Sequence, residues 1–186
     1  CKLAIFVSRL LGKKGSSMPG QLAFTICPSV LQLLSRQVKR EILVVCGTNG
    51  KTTTNNLLAA FIKSAGHTVV CNDLGANMLW GVCCAFAEKA NLLGKLHADY
   101  ACIEVDEASA VKVFRYMKPD VMIITNLFRD QLDRYGEIDL TIDYLRRALE
   151  LAPDTRLLLN GDDPLVAQFG QNTERTCYYM GVDEDT

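Results

Sequence analysis

The stretch Ile42-Leu43-Val44-Val45-Cys46-Gly47-Thr48-Asn49-Gly50-Lys51-Thr52-Thr53-Thr54 decides how this chain is read. An apolar run rich in β-branched residues enters a glycine-bearing turn, and Lys51-Thr52 then opens a helical pattern. A buried strand leading into such a turn aims successive backbone N–H groups at an anion, and the helix N-terminus adds partial positive charge. In this frame Gly47, Thr48, Asn49 and Gly50 cradle phosphate oxygens, with Thr53 in the first helical turn. Lys51 neutralises the β- and γ-phosphates, and the Thr52 hydroxyl ligates Mg²⁺. The common pattern G-x-x-x-x-G-K-[ST] would need glycine at Val45, so this is a shortened variant. The competing reading is a chance G-K-T at a tight turn, and the strand before it and helix after it argue against that.

Working outward, short apolar runs alternate with longer helical patterns. Strands are predicted at Ile42–Cys46, Thr68–Cys71, Tyr100–Val105, Val121–Thr125, Arg156–Asn160 and Thr176–Met180. Most are apolar on both faces, which suits strands buried in a parallel sheet covered by helices. Helices are predicted at Lys51–Ala65, Asn77–Leu93, Ala108–Met117 and Thr141–Leu151, with Gly66, Pro119 and Pro153 as stops. The expected fold is α/β, a P-loop-type, mostly parallel sheet with helices on both faces. Upstream, residues 1–40 read as a helical N-terminal extension to a domain over 41–186. Lys2–Leu11 has apolar residues at helical spacing, Lys13–Gly20 reads as a loop, and a helix runs from Pro28 to Lys39. The extension packs on the sheet, or its Gly/Ser loop also contacts a ligand.

Composition bounds the function. The 186 residues carry 20 Lys+Arg against 21 Asp+Glu, with 49% hydrophobic and 22% charged residues. Such a chain builds a proper core and is neither disordered nor a strongly basic nucleic-acid binder. Residues 15–35 are uncharged but interrupted by Pro19, Gly20 and Pro28, and residues 74–87 are too short to span a bilayer. No integral membrane segment is expected. The 8 cysteines include no C-x-x-C pair, and several lie within strand-like runs, so a reduced, cytoplasmic protein is expected. The chain begins at Cys1 rather than Met and stops at Thr186 without a terminating motif, which reads as a piece of a longer protein.

Two further strand ends carry polar groups. Tyr100–Val105 delivers Glu104, Asp106 and Glu107 to the carboxyl edge of the sheet, where ligands of open α/β folds gather. Glu104 is the candidate Mg²⁺ ligand beside Thr52, while Asp106 and Glu107 suit a helix cap or a supporting role. Val121–Thr125 ends in Asn126, and Arg156–Asn160 runs into Gly161-Asp162-Asp163-Pro164. Asn160 and Asp162 then approach the nucleotide base or ribose, or the segment merely caps the next helix. His67 and His97 match no catalytic motif, and Trp80 reads as helix core.

Gly47-Thr48-Asn49-Gly50-Lys51-Thr52 resembles the phosphate loop of the Mur ligases and folylpolyglutamate synthases, ATP-dependent enzymes that activate a carboxylate as an acyl-phosphate. Asn126 with the Asp130–Gly136 run, and Asn160-Gly161-Asp162-Asp163-Pro164, resemble later motifs of that family. Gln131 stands where the family has a histidine for a second magnesium, and no lysine follows Lys118 to be carbamylated, so that second site is expected to be absent or rebuilt. With Asn72–Met78, Glu104–Ala108 and Gly15–Gly20, the chain is most similar to the MurT branch. That resemblance implies a ligase subunit using ATP and Mg²⁺ to activate the D-glutamate α-carboxylate of the lipid II stem peptide. Ammonia from a GatD-like glutamine amidotransferase partner then gives D-isoglutamine at the inner membrane face, in peptidoglycan synthesis. The branch's Zn²⁺ ribbon and C-terminal domain are expected to lie beyond this chain, because the ribbon follows a segment like Thr176–Val182. Alternatives are a conventional Mur ligase or folylpolyglutamate synthase adding an amino acid, a GTPase-type switch lacking its Asn-Lys-x-Asp motif, and a purely structural subunit.

Overall fold

The computed structural model describes residues 18–72, 76–128 and 137–182. The expected helix Lys2–Leu11, the Gly15–Ser17 part of the loop, Asp73–Gly75 and the motif around Gln131 lie outside the described residues. In chain order the elements are α1 (Met18–Ile26), α2 (Val30–Ser35), β1 (Val38–Cys46), α3 (Lys51–Ser64), β2 (Val69–Cys71) and α4 (Leu79–Lys89). There follow β3 (Ala98–Glu104), α5 (Glu107–Phe114), β4 (Val121–Ile124), α6 (Glu137–Glu150), β5 (Arg156–Asn160), the short α7 (Pro164–Ala167) and β6 (Cys177–Met180).

All six strands run parallel in the order β2-β3-β1-β4-β5-β6. Side chains alternate across the sheet, so each strand feeds two cores. Ile42, Val44 and Cys46 of β1, with Ala101, Ile103, Met122, Ile124, Leu157 and Leu159, join the large core under α4, α5 and α6. Leu43, Val69, Tyr100 and Cys102 face the other way and meet Leu58, Ala59 and Ile62 of α3. The handedness of parallel crossovers explains this division. Only the step from β1 to β2 runs toward the β2 edge, so α3 falls on the opposite face from the helices of the later steps.

The predicted strands reappear with ends shifted by a few residues, and two upstream expectations are corrected. The helix placed at Pro28–Lys39 is the six-residue α2, and β1 already begins at Val38. Val38 pairs with Ala98, while the Gln37 amide donates to Leu33 O and Gly94 O (both 3.1 Å), so tertiary pairing overrides helical continuation. Met18–Gly20, expected in the loop, is the first turn of α1. This helix packs on α4, where Phe24 meets Trp80 edge-on with centroids 4.9 Å apart. Trp80 therefore serves packing, as predicted.

Two side chains tie elements together by their charge. Asp120 accepts from Ile42 N (2.7 Å), fixing the start of β4 against β1. Arg175 donates to Leu149 O, Ala152 O and Pro153 O (each 2.7 Å) and to Thr155 O (3.2 Å), gathering carbonyls from the end of α6 and the following turn; Leu149 O and Ala152 O also accept the backbone N–H groups of Ala152 and Thr155. None of the described cysteines is in a disulfide. Burial pushes the Cys83 and Cys102 thiols up to about 12, so both behave as small apolar residues.

A Cβ built on Gly20 would lie 1.8 Å from Trp80 O, so the α1–α4 contact depends on glycine there. Gly20→Ala is expected to destabilise the fold by about 1–3 kcal/mol through overpacking, read by urea unfolding; unchanged stability would show that the two helices do not pack this closely.

Candidate functional site

The carboxyl ends of β3, β1 and β4 stand side by side, with Val45 opposite Glu104 and Cys46 opposite Ile124. The loop Gly47–Gly50 leaves the middle strand and is braced from both neighbours. From the β4 side, Thr48 N donates to Asn126 O (2.8 Å) and Asn49 N to Asn126 Oδ1 (2.9 Å). Asn126 Nδ2 and Thr125 Oγ1 both donate to Asn49 O, at 3.0 and 2.8 Å. From the β3 side, Gly47 N donates to Glu107 Oε1 (2.7 Å). Apart from the backbone bond from Thr48 N to Asn126 O, the loop is therefore held by side chains rather than by regular ladder pairing.

Both glycines are required by shape. Gly47 has φ +125°, and a Cβ there would lie 2.3 Å from Thr125 Oγ1 and 2.8 Å from Asn126 O. Gly50 has φ +80° and sits at the N-cap of α3 with no atom within 4 Å of a built Cβ. That conformation is costly for any residue with a side chain. The N–H groups of the first turn, Lys51–Thr53, have no acceptor within their own helix and project from its N-terminus. Thr53 is exposed in that turn. Lys51 Nζ donates to Gly47 O and to Thr48 O (3.2 Å) and lies 3.4 Å from Glu107 Oε1, so the ammonium sits under the loop it belongs to.

Glu104 is nearly inaccessible, at 2% exposure, yet no Lys or Arg pairs with it among the described residues. Its Oε2 accepts from Thr52 Oγ1 at 2.7 Å and its Oε1 from Asn77 Nδ2 at 3.0 Å. The two ligands named from the sequence are thus adjacent. Neighbouring oxygens of a near-octahedral Mg²⁺ with bonds of about 2.1 Å lie roughly 3 Å apart, so the pair stands close to that spacing, and the Thr52 hydroxyl would turn its proton away from Glu104 to share the ion. Among the described residues no cluster of three or more His, Cys, Asp or Glu could hold a metal by itself. One carboxylate and one hydroxyl, with the remainder from phosphate and water, is the habit of Mg²⁺ rather than of a protein-caged ion.

The remaining acids divide as expected. Asp106 caps α5, accepting from Ser109 N at 3.1 Å. Glu107 braces the loop and faces Lys51, a supporting role. Asn160 donates to Thr125 O (2.9 Å), joining β5 to the loop's brace, while Asp162 accepts from Val182 N (3.0 Å) in the exposed turn beyond. Asp163 caps α7, accepting from Leu165 N (2.9 Å), and also accepts from Leu127 N (2.8 Å). The cap reading of this segment holds for Asp163, whereas Asn160 lies at the carboxyl edge. Sequence reasoning gave no role to Thr125, Asn77 or Asn72. Asn72 and Asn77 entered only as the ends of a family-like segment, and Thr125 only as the last residue of a predicted strand. Burial, with a further push from the Glu107 charge, raises the Cys46 thiol well above its usual value, so it is no nucleophile.

Comparison with known proteins adds to this geometry. The chain is 39% identical over 178 residues to the lipid II isoglutaminyl synthase (glutamine-hydrolyzing) subunit MurT of Staphylococcus aureus, covering 96% of this chain and 39% of that protein. It is 41% identical over 161 residues to the corresponding MurT subunit of Streptococcus pneumoniae, covering 86% of this chain and 35% of that one. The chain therefore spans less than half the length of these relatives. The MurF ligase of Thermotoga maritima, solved in complex with ADP, superposes with a TM-score of 0.66 at 14% identity, over 84% of this chain and 37% of that one. That likeness is one of fold. Residues 45–185, from the end of β1 through the loop, Glu104, Asn126 and Asn160, match the Mur ligase middle domain, and the chain accordingly belongs to the Mur ligase family.

Proposed function

We propose that this chain is the nucleotide-binding part of a MurT-type ligase subunit, residues 41–186 preceded by an extension over 1–40 whose last three residues already belong to β1. In this reading the whole protein activates the D-glutamate α-carboxylate of the lipid II stem peptide. Ammonia from a GatD-like glutaminase partner then converts that residue to D-isoglutamine, on the cytoplasmic side of the membrane in peptidoglycan synthesis. The single observation carrying the nucleotide part is the 2.7 Å contact between Thr52 and Glu104 at the mouth of a glycine-bearing loop. The choice of branch is supported by identities of 39% and 41% to two MurT subunits. No helix among the described residues is long and apolar enough to cross a membrane.

Bound ATP with Mg²⁺ would supply the phosphoryl group that makes the carboxylate reactive toward ammonia. This chain's own residues bind and orient. Backbone N–H groups at the start of α3 would meet phosphate oxygens, and Lys51 would turn its ammonium from the loop carbonyls toward them. Thr52 and Glu104 would hold the metal. Asn126 keeps the loop in shape, and Asn160 and Asp162 would approach the base or ribose. Zn²⁺ belongs to the ribbon of the MurT branch and plays no part in this domain.

Three measurements test the reading. Lys51→Ala is expected to weaken ATP binding by roughly 1.5–3 kcal/mol, a tenfold loss or more, in a calorimetric titration with Mg²⁺; undiminished affinity would remove the loop assignment. Glu104→Gln keeps the acceptor oxygen for Asn77, sets an N–H against the Thr52 hydroxyl, which can accept it, and drops the charge, so Mg²⁺ should no longer tighten nucleotide binding while Mg²⁺-free affinity survives. Finally, the full-length protein with its glutaminase partner should amidate lipid II from glutamine or ammonia. Incorporation of a free amino acid instead would transfer the chain to the conventional ligases or folylpolyglutamate synthases.

A further inference from the structure

Where β2 ends, a side chain takes over its pairing. The β2–β3 ladder runs Val69–Tyr100, Val70–Ala101 and Cys71–Cys102, after which the backbone leaves the sheet. Asn72, the next residue, is buried, and its amide brackets the main chain of Glu104. Glu104 N donates to Asn72 Oδ1 and Asn72 Nδ2 donates to Glu104 O, each at 2.8 Å. Glu104 is thus fixed along both edges, by β1 on one side and by one primary amide on the other. The same Nδ2 donates to Ala76 O (3.0 Å), holding the segment that brings Asn77 to the Glu104 carboxylate.

A second amide links this bracket to the phosphate-loop helix. Asn55 lies one turn beyond Thr52 on α3 and is fully buried. Its Nδ2 donates to Asn72 Oδ1 (3.4 Å) and to Cys71 Sγ (3.3 Å), while its own Oδ1 finds no partner among the described residues. A buried amide with an unmatched oxygen is a poor choice for packing alone. What it does accomplish is to join α3, which carries Thr52, to the residue that sets Glu104. Only one orientation of the Asn72 amide satisfies two carbonyls and two donors together, so the junction has a single geometry.

We propose that Asn72 is a positioning residue for the metal pair, holding Thr52 and Glu104 at ligand spacing, with Asn55 transmitting the position of the helix. Neither residue reaches the metal; each acts through Glu104 or α3. The inference rests on the nucleotide–Mg²⁺ reading above and adds how the affinity of that site for the ion is set.

The test is an equilibrium titration of a fluorescent ATP analogue into the full-length protein with its partner, across Mg²⁺ concentrations and in EDTA. Asn72→Ala is expected to raise the Mg²⁺ concentration at half-effect by about tenfold or more, while affinity in EDTA, carried by Lys51 and the loop, stays within about twofold. Asn55→Ala, which leaves the bracket on Glu104 intact, is expected to shift the Mg²⁺ midpoint in the same direction by less, and it carries the test should Asn72→Ala fail to fold. An unmoved Mg²⁺ midpoint in folded variants overturns the proposal. So does an equal loss of affinity with and without Mg²⁺, which is what general disruption would produce. Absence of any Mg²⁺ dependence in the unsubstituted protein would remove the site reading itself, and is distinguishable because it appears before any substitution is made.

Discussion

β1 is hydrogen-bonded to a parallel strand along both edges, and this sets where the rest of the site can be. Because its neighbours run in the same direction, every carboxyl end emerges on one side. The register places Glu104 beside Val45 and Ile124 beside Cys46, so the loop leaving Cys46 has an acid on one flank and the Thr125-Asn126 pair on the other. A slip of one residue in the β1–β3 pairing would turn Glu104 to the opposite face and away from Thr52. Such a slip is costly because it would carry the Glu104 carboxylate toward an apolar core and exchange the side chains packed on both faces of the strand. Core packing and site geometry are therefore one constraint.

The charges around the loop are sorted with equal economy. Lys51 faces Glu107 and backbone carbonyls, whereas the Glu104 carboxylate, among the described residues, receives only a hydroxyl and an amide N–H. A buried carboxylate met by neutral donors keeps its field uncompensated, which is expensive unless a cation shares the place. In the proposed reading, the separation of Lys51 from Glu104 keeps each available to a different part of a metal–nucleotide pair.

Much of this was legible before any coordinates. The strand, turn and Lys51-Thr52 run identified the loop, and continuous apolar runs identified a parallel sheet, because both signals are local and repeat several times. Glu104 was legible through its place at a strand end. Three features were not. The start of β1 at Val38 is set by Ala98, sixty residues away, and propensity around Gln37 gives no hint of it. Gly20 reads as a loop residue until Trp80 O is found against it. The roles of Asn55 and Asn72 depend on side-chain amides meeting across three elements, and asparagine after a strand ordinarily signals no more than a turn. Local chemistry was readable; long-range reciprocity was not.

The guanidinium of Arg175 has a consequence for how the far edge of the molecule comes apart. By taking carbonyls from Leu149 through Thr155, it ties the end of α6 to the segment that leads into β6. An exposed outer strand would ordinarily fray by itself, being paired on one side only. Here its approach is clasped to a helix that packs on the core, so local opening of that edge exposes the helix terminus as well. The outer strand and the end of α6 then form one cooperative unit, protecting their amides from solvent exchange together.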